Sequence, residues 1–77
     1  MNEERIGLAA GLLWERLRES GEDGLTLTSL KKASGYRPDE VVAALGWLAR
    51  EGKLRFENGK RGRVSVVLAE AEKLALN

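Results

Sequence analysis

The side chains that most often perform catalysis are missing from this sequence. None of its 77 residues is a histidine or a cysteine, which removes the commonest general base, the thiol nucleophile and nearly every kind of zinc site. The carboxylates fall at solvent-facing helical positions or in the first turns of helices, where acidic groups offset the helix dipole. The sequence therefore predicts a non-enzymatic protein with no metal, no cofactor and no small-molecule substrate.

A cluster of basic residues between positions 53 and 63 is the first candidate binding site. Five basic residues stand there against Glu57 alone, a local charge of +4, so that the rest of the chain sums to −3 within a total of +1. Glycines flank the central pair, Lys60 and Arg61, which could follow a phosphate backbone or enter a minor groove. The alternative is that these charges only keep an exposed hairpin soluble. The basic residues of the cluster are Lys53, Arg55, Lys60, Arg61 and Arg63.

Three further basic residues extend the candidate nucleic-acid surface. Lys31 and Lys32 belong to the second predicted helix, and Arg50 belongs to the third. Arg50 is the one outward residue of the third helix that commonly contacts base edges, whereas Asp39 and Glu40 would be repelled by phosphates. We therefore expect DNA binding to be weak and sensitive to salt.

The outward face of the third predicted helix suits a protein partner better than a DNA groove. Trp47 lies roughly 140° from the core direction by helical periodicity. Together with Arg50 and the small neighbour Ala43, it matches the residue types that anchor protein interfaces. The alternative is that Trp47 packs against the hairpin or the tail of its own chain.

A second apolar pair lies on the outer side of the first predicted helix. Leu8 and Leu12 are four residues apart, on one face and away from the core stripe. Together with Trp47 they predict self-association, as a homodimer. The alternative is that Leu74 and Leu76 of the C-terminal tail fold back over them.

Caps and glycines set the limits of the first two helices. The first helix is predicted from its N-cap Asn2 to Ser20, with an apolar stripe of Ile6, Ala10, Leu13 and Leu17 and with Trp14 at the core edge. A short strand over 25–27 follows. Thr28 is then the predicted N-cap of a second helix, which ends at Gly35 and buries Leu27, Leu30 and Ala33.

The third helix is predicted from Pro38 to Glu51, with Gly52 as its terminator. Tyr36 stands where a hydrophobic staple reaches Val41. The predicted core residues of this helix are Val41, Leu45 and Leu48, flanked by Val42, Ala44 and Ala49.

Two alternating segments after the third helix predict a β-hairpin. A two-residue turn at Asn58 would pair apolar with charged side chains, so we predict a five-residue loop over 58–62 instead. The expected pairs are Leu54 with Val66, Phe56 with Val64, and Glu57 with Arg63.

This order of elements predicts a mainly α fold with a small β-sheet, the winged helix-turn-helix, in which the hairpin is the wing. The domain would cover residues 1–68, and residues 69–77 would form a tail that is a short helix or frayed. No apolar run is long enough to span a membrane. Since the first residues lack the pattern of a secretory signal, we expect a cytoplasmic protein.

Three segments resemble a family of small, uncharacterised bacterial and archaeal winged helix-turn-helix proteins of unknown function. They are residues 6–14 of the first helix, residues 28–33 of the second and residues 44–51 of the third, of which Gly46–Glu51 is the most specific. The resemblance covers about residues 5–68. It implies the fold and a DNA-binding character, but no activity or ligand residue.

Two functions follow as hypotheses. The first is a transcription-associated module that contacts DNA through its wing and a protein through the third helix, where the link to transcription rests on analogy of fold. The second is a protein-interaction or homodimerisation domain with no nucleic-acid role.

Overall fold

A computed structural model describes the backbone of residues 1–74 and the side chains of residues 1–72. Its elements are α1 (Glu3–Ser20), β1 (Leu25–Thr26), α2 (Leu27–Ala33), α3 (Pro38–Arg50), β2 (Leu54–Asn58), β3 (Val64–Leu68) and α4 (Glu70–Leu74), with 3-10 turns at Gly21–Asp23 and Lys60–Gly62. The predicted winged helix-turn-helix is confirmed.

The sheet is antiparallel and has the order β1-β3-β2, so the last strand in the sequence is its centre. The wing is the hairpin formed by β2 and β3. One face of β3 supplies Val66 and Leu68 to a core shared with α1, α2 and α3. The sheet thus closes the open side of a three-helix cluster.

The first helix forms as its caps predict. The Asn2 side chain accepts a hydrogen bond from the backbone N–H of Arg5 at 2.8 Å, and the chain leaves the helix at Gly21 with φ of 71°. Its core residues Ala9, Ala10, Leu13 and Leu17 are buried, and the half-buried Ile6 and Trp14 pack against them.

The second helix begins two residues earlier than predicted. The Oγ1 atom of Thr26, and not that of Thr28, accepts the hydrogen bond from the Ser29 backbone N–H, at 3.1 Å. Both threonines can cap a helix, but the earlier cap lets the helix start directly from β1. The helix buries Leu30, whereas Ala33 is exposed, so the prediction that Ala33 is a core residue was wrong.

The third helix has the predicted limits to within one residue, with Glu51 as its C-cap. Val41, Ala44, Leu45 and Leu48 are buried, but Val42 is 50% exposed. The prediction for Val42 was wrong because α1 contacts another flank of α3, where Glu40 bonds to Arg5 and Trp47 lies against Gly7.

The wing hairpin has the predicted loop length but a different register. Phe56 pairs with Val66 and Leu54 with Leu68, a shift of two residues along β3. A shift of two keeps the same side chains on each face, which is why the alternation alone did not distinguish the two registers. The connection is residues 59–63, closed by a 2.7 Å hydrogen bond from the Gly59 N–H to the Arg63 carbonyl.

The chain after β3 turns back towards the first helix. The Ala69 N–H donates to the Lys53 carbonyl at 3.0 Å, and the Trp14 Nε1–H donates to Glu72 Oε1 at 2.9 Å. The predicted alternative for Leu74 and Leu76 lies outside the described side chains. In the part of the chain that the structure describes, no helix has the length and apolarity needed to cross a membrane.

The approach to β1 depends on a glycine. Gly24 has φ of 69° and passes so close to β3 that a Cβ atom would lie 2.5 Å from Val67 Cγ1 and would clash with the Val66 carbonyl oxygen. Val67 itself is buried, at 2% exposure. A side chain at position 24 would therefore push β1 away from β3.

We predict that Gly24→Ala destabilises the protein strongly, by about 2 kcal/mol more than Gly21→Ala. Both glycines have a positive φ, but nothing lies within 4 Å of a Cβ at Gly21, so the difference isolates the close approach to β3. Urea denaturation of the two variants measures it. Equal losses would contradict this interpretation.

Candidate nucleic-acid and protein-binding surfaces

The tip of the wing is a short 3-10 turn with an unusual arginine. Arg61 has φ of 59° and ψ of 32°, and it is the one non-glycine residue with positive φ in the described chain. A left-handed conformation costs an L-residue about 1 to 2 kcal/mol. The rest of the hairpin must therefore stabilise this turn. The following residue, Gly62, also has a positive φ, of 73°.

A cleft of about 570 Å³ separates the wing tip from the start of α2. We call it the wing cleft. Two guanidinium groups, of Arg61 and Arg63, stand on one side, and hydroxyl side chains stand on the other. Arginines and hydroxyl groups are the side chains that most often contact nucleic-acid phosphates. The residues that line the cleft are Thr26, Leu27, Thr28, Ser29, Arg61, Gly62, Arg63 and Val64.

Some residues of the basic cluster form ion pairs with carboxylates, and others do not. Arg55 approaches Glu57 to 3.6 Å, and Lys53 approaches Glu51 to 3.8 Å. The three remaining members, Lys60, Arg61 and Arg63, form no ion pair with any described residue and are exposed. The unpaired positive charge is thus concentrated at the wing tip and the wing cleft.

The other residues predicted to bind nucleic acid do not line the wing cleft. Lys31 and Lys32 occupy the last turn of α2, where cations offset the helix dipole, and neither lines the wing cleft. Arg50 is exposed in the last turn of α3. The structure therefore brings Arg61 and Arg63 together at one site and does not add these three side chains to it.

Trp47 lies on the flank of α3 that faces α1, and not opposite the core. Its ring atoms are 3.8 Å from the position of a Cβ at Gly7, and 43% of the residue is exposed. The predicted exposure of Trp47 is confirmed, although its indole packs on the first helix of its own chain.

A second depression, the α1–α3 groove, runs beside this tryptophan and has a volume of about 380 Å³. Leu8 lies next to it on α1 and is 58% exposed, whereas Leu12 and Ala43 are half-buried. Small residues form much of its floor, and two tryptophans stand at its sides. The residues that line the groove are Gly7, Ala10, Gly11, Trp14, Glu15, Trp47, Leu48, Glu51 and Lys53.

The sequence analysis did not predict that a carboxylate is buried at the start of α3. Glu40 is 1% exposed, and its carboxylate accepts hydrogen bonds from Arg5 Nε at 2.6 Å, from Arg5 Nη2 at 3.0 Å and from the Arg37 backbone N–H at 3.1 Å. The Arg5 guanidinium also lies over the Tyr36 ring, 5.1 Å from its centre. These residues join α1 to the turn between α2 and α3.

The predicted repulsion between Glu40 and phosphates therefore does not apply, because the carboxylate is buried and paired with Arg5. Its position in the first turn of α3 signals a capping carboxylate, but nothing in the local sequence identifies Arg5 as the partner. The hydrogen bonds from Arg5 and then from the Arg37 backbone lower the pKa of Glu40 to about 2. Asp39, next to it, is exposed.

The described residues contain no group of three or more acidic, histidine or cysteine side chains arranged to hold a metal ion. The wing cleft and the α1–α3 groove both carry side chains suited to binding a partner. The wing cleft offers positive charge and hydroxyls, and the α1–α3 groove offers aromatic and small apolar residues with Glu15, Glu51 and Lys53 also in its lining.

Residues 1–68 match the family described as winged helix-turn-helix domain (DUF2582). The chain is also similar to the solution NMR structure of protein BT2368 from Bacteroides thetaiotaomicron, with 31% identity and a TM-score of 0.72 over 88% of this chain and 79% of that one. No curated protein matches the chain. The family resemblance inferred from the helical segments is confirmed.

We predict that the contribution of Glu40 to stability is lost in acid. A depressed pKa stabilises the fold above the unfolded-state pKa of about 4.3 and ceases to do so as the pH falls towards the folded-state value of about 2. The difference in unfolding free energy between the wild type and Glu40→Gln should be full above about pH 5 and shrink towards pH 2. Chemical denaturation at a series of pH values measures it.

Arg5→Gln serves as the second arm of this test. If Arg5 and Glu40 stabilise the fold as a pair, the double variant should be no less stable than the worse single variant. Additive losses would mean that each side chain acts separately.

Proposed function

The chain belongs to the DUF2582 family of winged helix-turn-helix domains, and we propose that it binds double-stranded DNA with the tip of its wing. The fold is a DNA-binding-type module. We propose a non-enzymatic role in transcription or another process that acts on DNA, with the wing as the main point of contact.

One observation carries this proposal: three cations without an ion-pair partner among the described residues lie together on one exposed loop. Lys60, Arg61 and Arg63 have no carboxylate partner among the described residues, whereas the remainder of the chain carries a net negative charge. Such a charge distribution favours one orientation of the domain on DNA and disfavours the others.

The third helix is poorly suited to the readout of bases. Its exposed residues include Asp39, Val42, Gly46 and Arg50. Only Arg50 has hydrogen-bond donors suited to a base edge, and Asp39 repels phosphates. We therefore expect low sequence selectivity, because phosphate contacts position a protein without distinguishing bases.

Replacing Lys60, Arg61 and Arg63 together by glutamine is predicted to abolish DNA binding. Replacing Arg63 alone should lower the slope of log K against log salt concentration by about 0.9, the value for one phosphate contact. Fluorescence anisotropy of a labelled duplex, titrated at several salt concentrations, measures both.

Arg16→Gln is the matched control, since Arg16 is exposed on α1 and forms no ion pair with a described residue. It removes the same charge far along the chain from the wing and should leave the slope unchanged. If Arg16→Gln and Arg63→Gln weaken binding equally, the DNA contact is not at the wing. Absence of binding by the wild type at low salt would refute the proposed function.

A second function, contact with a protein, is favoured by the exposure of Trp47. A tryptophan that exposes 43% of its area beside an open apolar groove is typical of the centre of a protein interface. In this alternative the α1–α3 groove, and not the wing, is the functional surface.

We predict that Trp47→Ala weakens protein association while the domain stays folded. Because 43% of the residue is exposed, its loss should lower the unfolding free energy by about 1 to 2 kcal/mol, less than for a fully buried aromatic residue. Thermal melts report the fold, and the concentration dependence of the sedimentation coefficient reports association. Complete unfolding of the variant would show that Trp47 is a core residue.

A further inference from the structure

The wing contains an asparagine followed by a glycine, Asn58 and Gly59, in a place where its conformation does not call for them. This pair commonly forms a two-residue hairpin turn, in which both residues need a positive φ. Asn58 is instead the last residue of β2 and pairs with Val64, and Gly59 has φ of −94° and ψ of −170°. The positive φ angles of the loop lie at Arg61 and Gly62.

The packing around Gly59 does not require a glycine either. A Cβ atom at this position would lie 3.4 Å from the Arg63 carbonyl oxygen and 4.0 Å from the Arg63 Cβ, which are ordinary contacts. An alanine would therefore fit both the backbone angles and the surrounding space. What the glycine does provide is a peptide nitrogen that no side chain shields from the preceding residue.

An asparagine before a glycine can react with the backbone that follows it, which is one reason why asparagine is a thermolabile residue. The peptide nitrogen of Gly59 loses its proton and bonds to Cγ of Asn58, and the side-chain amide leaves as ammonia. Water then opens the resulting cyclic imide at either of its carbonyls. Opening at Cγ gives an aspartate, and opening at the backbone carbonyl gives an isoaspartate, in which the chain continues through the side chain. The net change is hydrolysis of an amide to a carboxylate and ammonium, with no oxidant or reductant.

The Asn58 side chain is available for this reaction. It is exposed, and it forms no hydrogen bond with any residue that the structure describes. Asn2, by contrast, accepts a hydrogen bond from the Arg5 N–H at 2.8 Å and is followed by Glu3, whose side chain hinders attack by the peptide nitrogen. Asn2 is therefore a reference within the same chain that should react more slowly.

The loop must open before the reaction can occur. The Gly59 nitrogen is the nucleophile, and its N–H donates a hydrogen bond of 2.7 Å to the Arg63 carbonyl. A further bond within the loop joins the Arg63 N–H to the Lys60 carbonyl at 3.2 Å. Because residues 59–63 are all exposed, breaking these bonds uncovers no core residue. Such a local opening costs much less than unfolding of the domain.

The product of the reaction changes the wing where its positive charge is concentrated. Lys60, Arg61 and Arg63 give residues 58–63 a charge of +3, and a carboxylate at position 58 would lower it to +2. An isoaspartate would also lengthen the backbone next to the loop and so displace these three side chains. Both changes oppose contact with phosphates.

We propose that Asn58 is a site of spontaneous deamidation, and that its conversion to aspartate or isoaspartate weakens the binding of the wing to DNA. The modification depends only on Asn58, Gly59 and the opening of the loop, whereas its effect on DNA rests on the proposed function above. The wing of the unmodified protein would thus lose affinity with time, without the action of an enzyme.

Mass spectrometry of the full chain, incubated in a mildly alkaline buffer and digested with trypsin at intervals, tests the site. Trypsin releases residues 56–60, in which Asn58 is the only asparagine, and residues 1–5, which contain Asn2. The first peptide should gain about 1 Da, and the second should stay unchanged. Gly59→Ala should slow the gain about tenfold or more, because the added Cβ obstructs closure of the ring. Equal rates in the two peptides, or in the wild type and Gly59→Ala, would overturn the proposal.

Asn58→Asp tests the effect on DNA, since it has the charge of the product and nearly the shape of the original side chain. It should bind a labelled duplex about threefold or more weakly than the fresh wild type, whereas the neutral control Asn58→Gln should bind as the wild type does. After incubation, the wild type should lose affinity and Gly59→Ala should keep it. Circular dichroism checks that the variants fold.

Two results separate the parts of this proposal. Full affinity of Asn58→Asp would overturn the effect on DNA while leaving the proposed function intact. If the fresh wild type binds no DNA, the proposed function and the effect on DNA both fail, and the mass of residues 56–60 alone decides whether Asn58 is modified.

Discussion

The Glu40 carboxylate is the interaction on which the arrangement of the helices depends. It is buried and charged, and it takes its hydrogen bonds from the Arg5 side chain on α1 and from the backbone at Arg37. An ionised group that is withdrawn from water without such donors destabilises a fold severely. The first helix is therefore fixed to the start of the third, and this position places Trp47 against Gly7 and creates the groove beside it.

Features with a local cause could be predicted from the sequence. The Asn2 cap, the Pro38 start and the glycines after α1 and α3 each act within a few residues, and the helix limits followed from them to within one residue. The predictions were wrong where the local sequence allows two structures equally well. Thr26 and Thr28 are equally good caps, and the two hairpin registers place the same side chains on each face.

The binding surfaces show the same difference: their local features could be predicted from the sequence, and the features that depend on packing between distant elements could not. The basic content of the wing is a local property and was predicted, but the pairing of Arg55 with Glu57, which leaves the tip residues of the wing without an ion pair, depends on side-chain geometry. The partner of Glu40 is 35 residues away, and the direction of Trp47 depends on where α1 crosses α3. Neither can be inferred from periodicity within one helix, because both follow from the packing of two elements that are distant in the chain.

The position of β3 bears on how the chain acquires its structure during synthesis. Leu25 finds its sheet partner only at Val66, so β1 stays unpaired until synthesis has passed β3. Until then the helices have no sheet to pack against, and β1 and β2 have no neighbour. Folding should consequently be cooperative and follow the synthesis of β3, so that the helices made before it are exposed to proteases and to association.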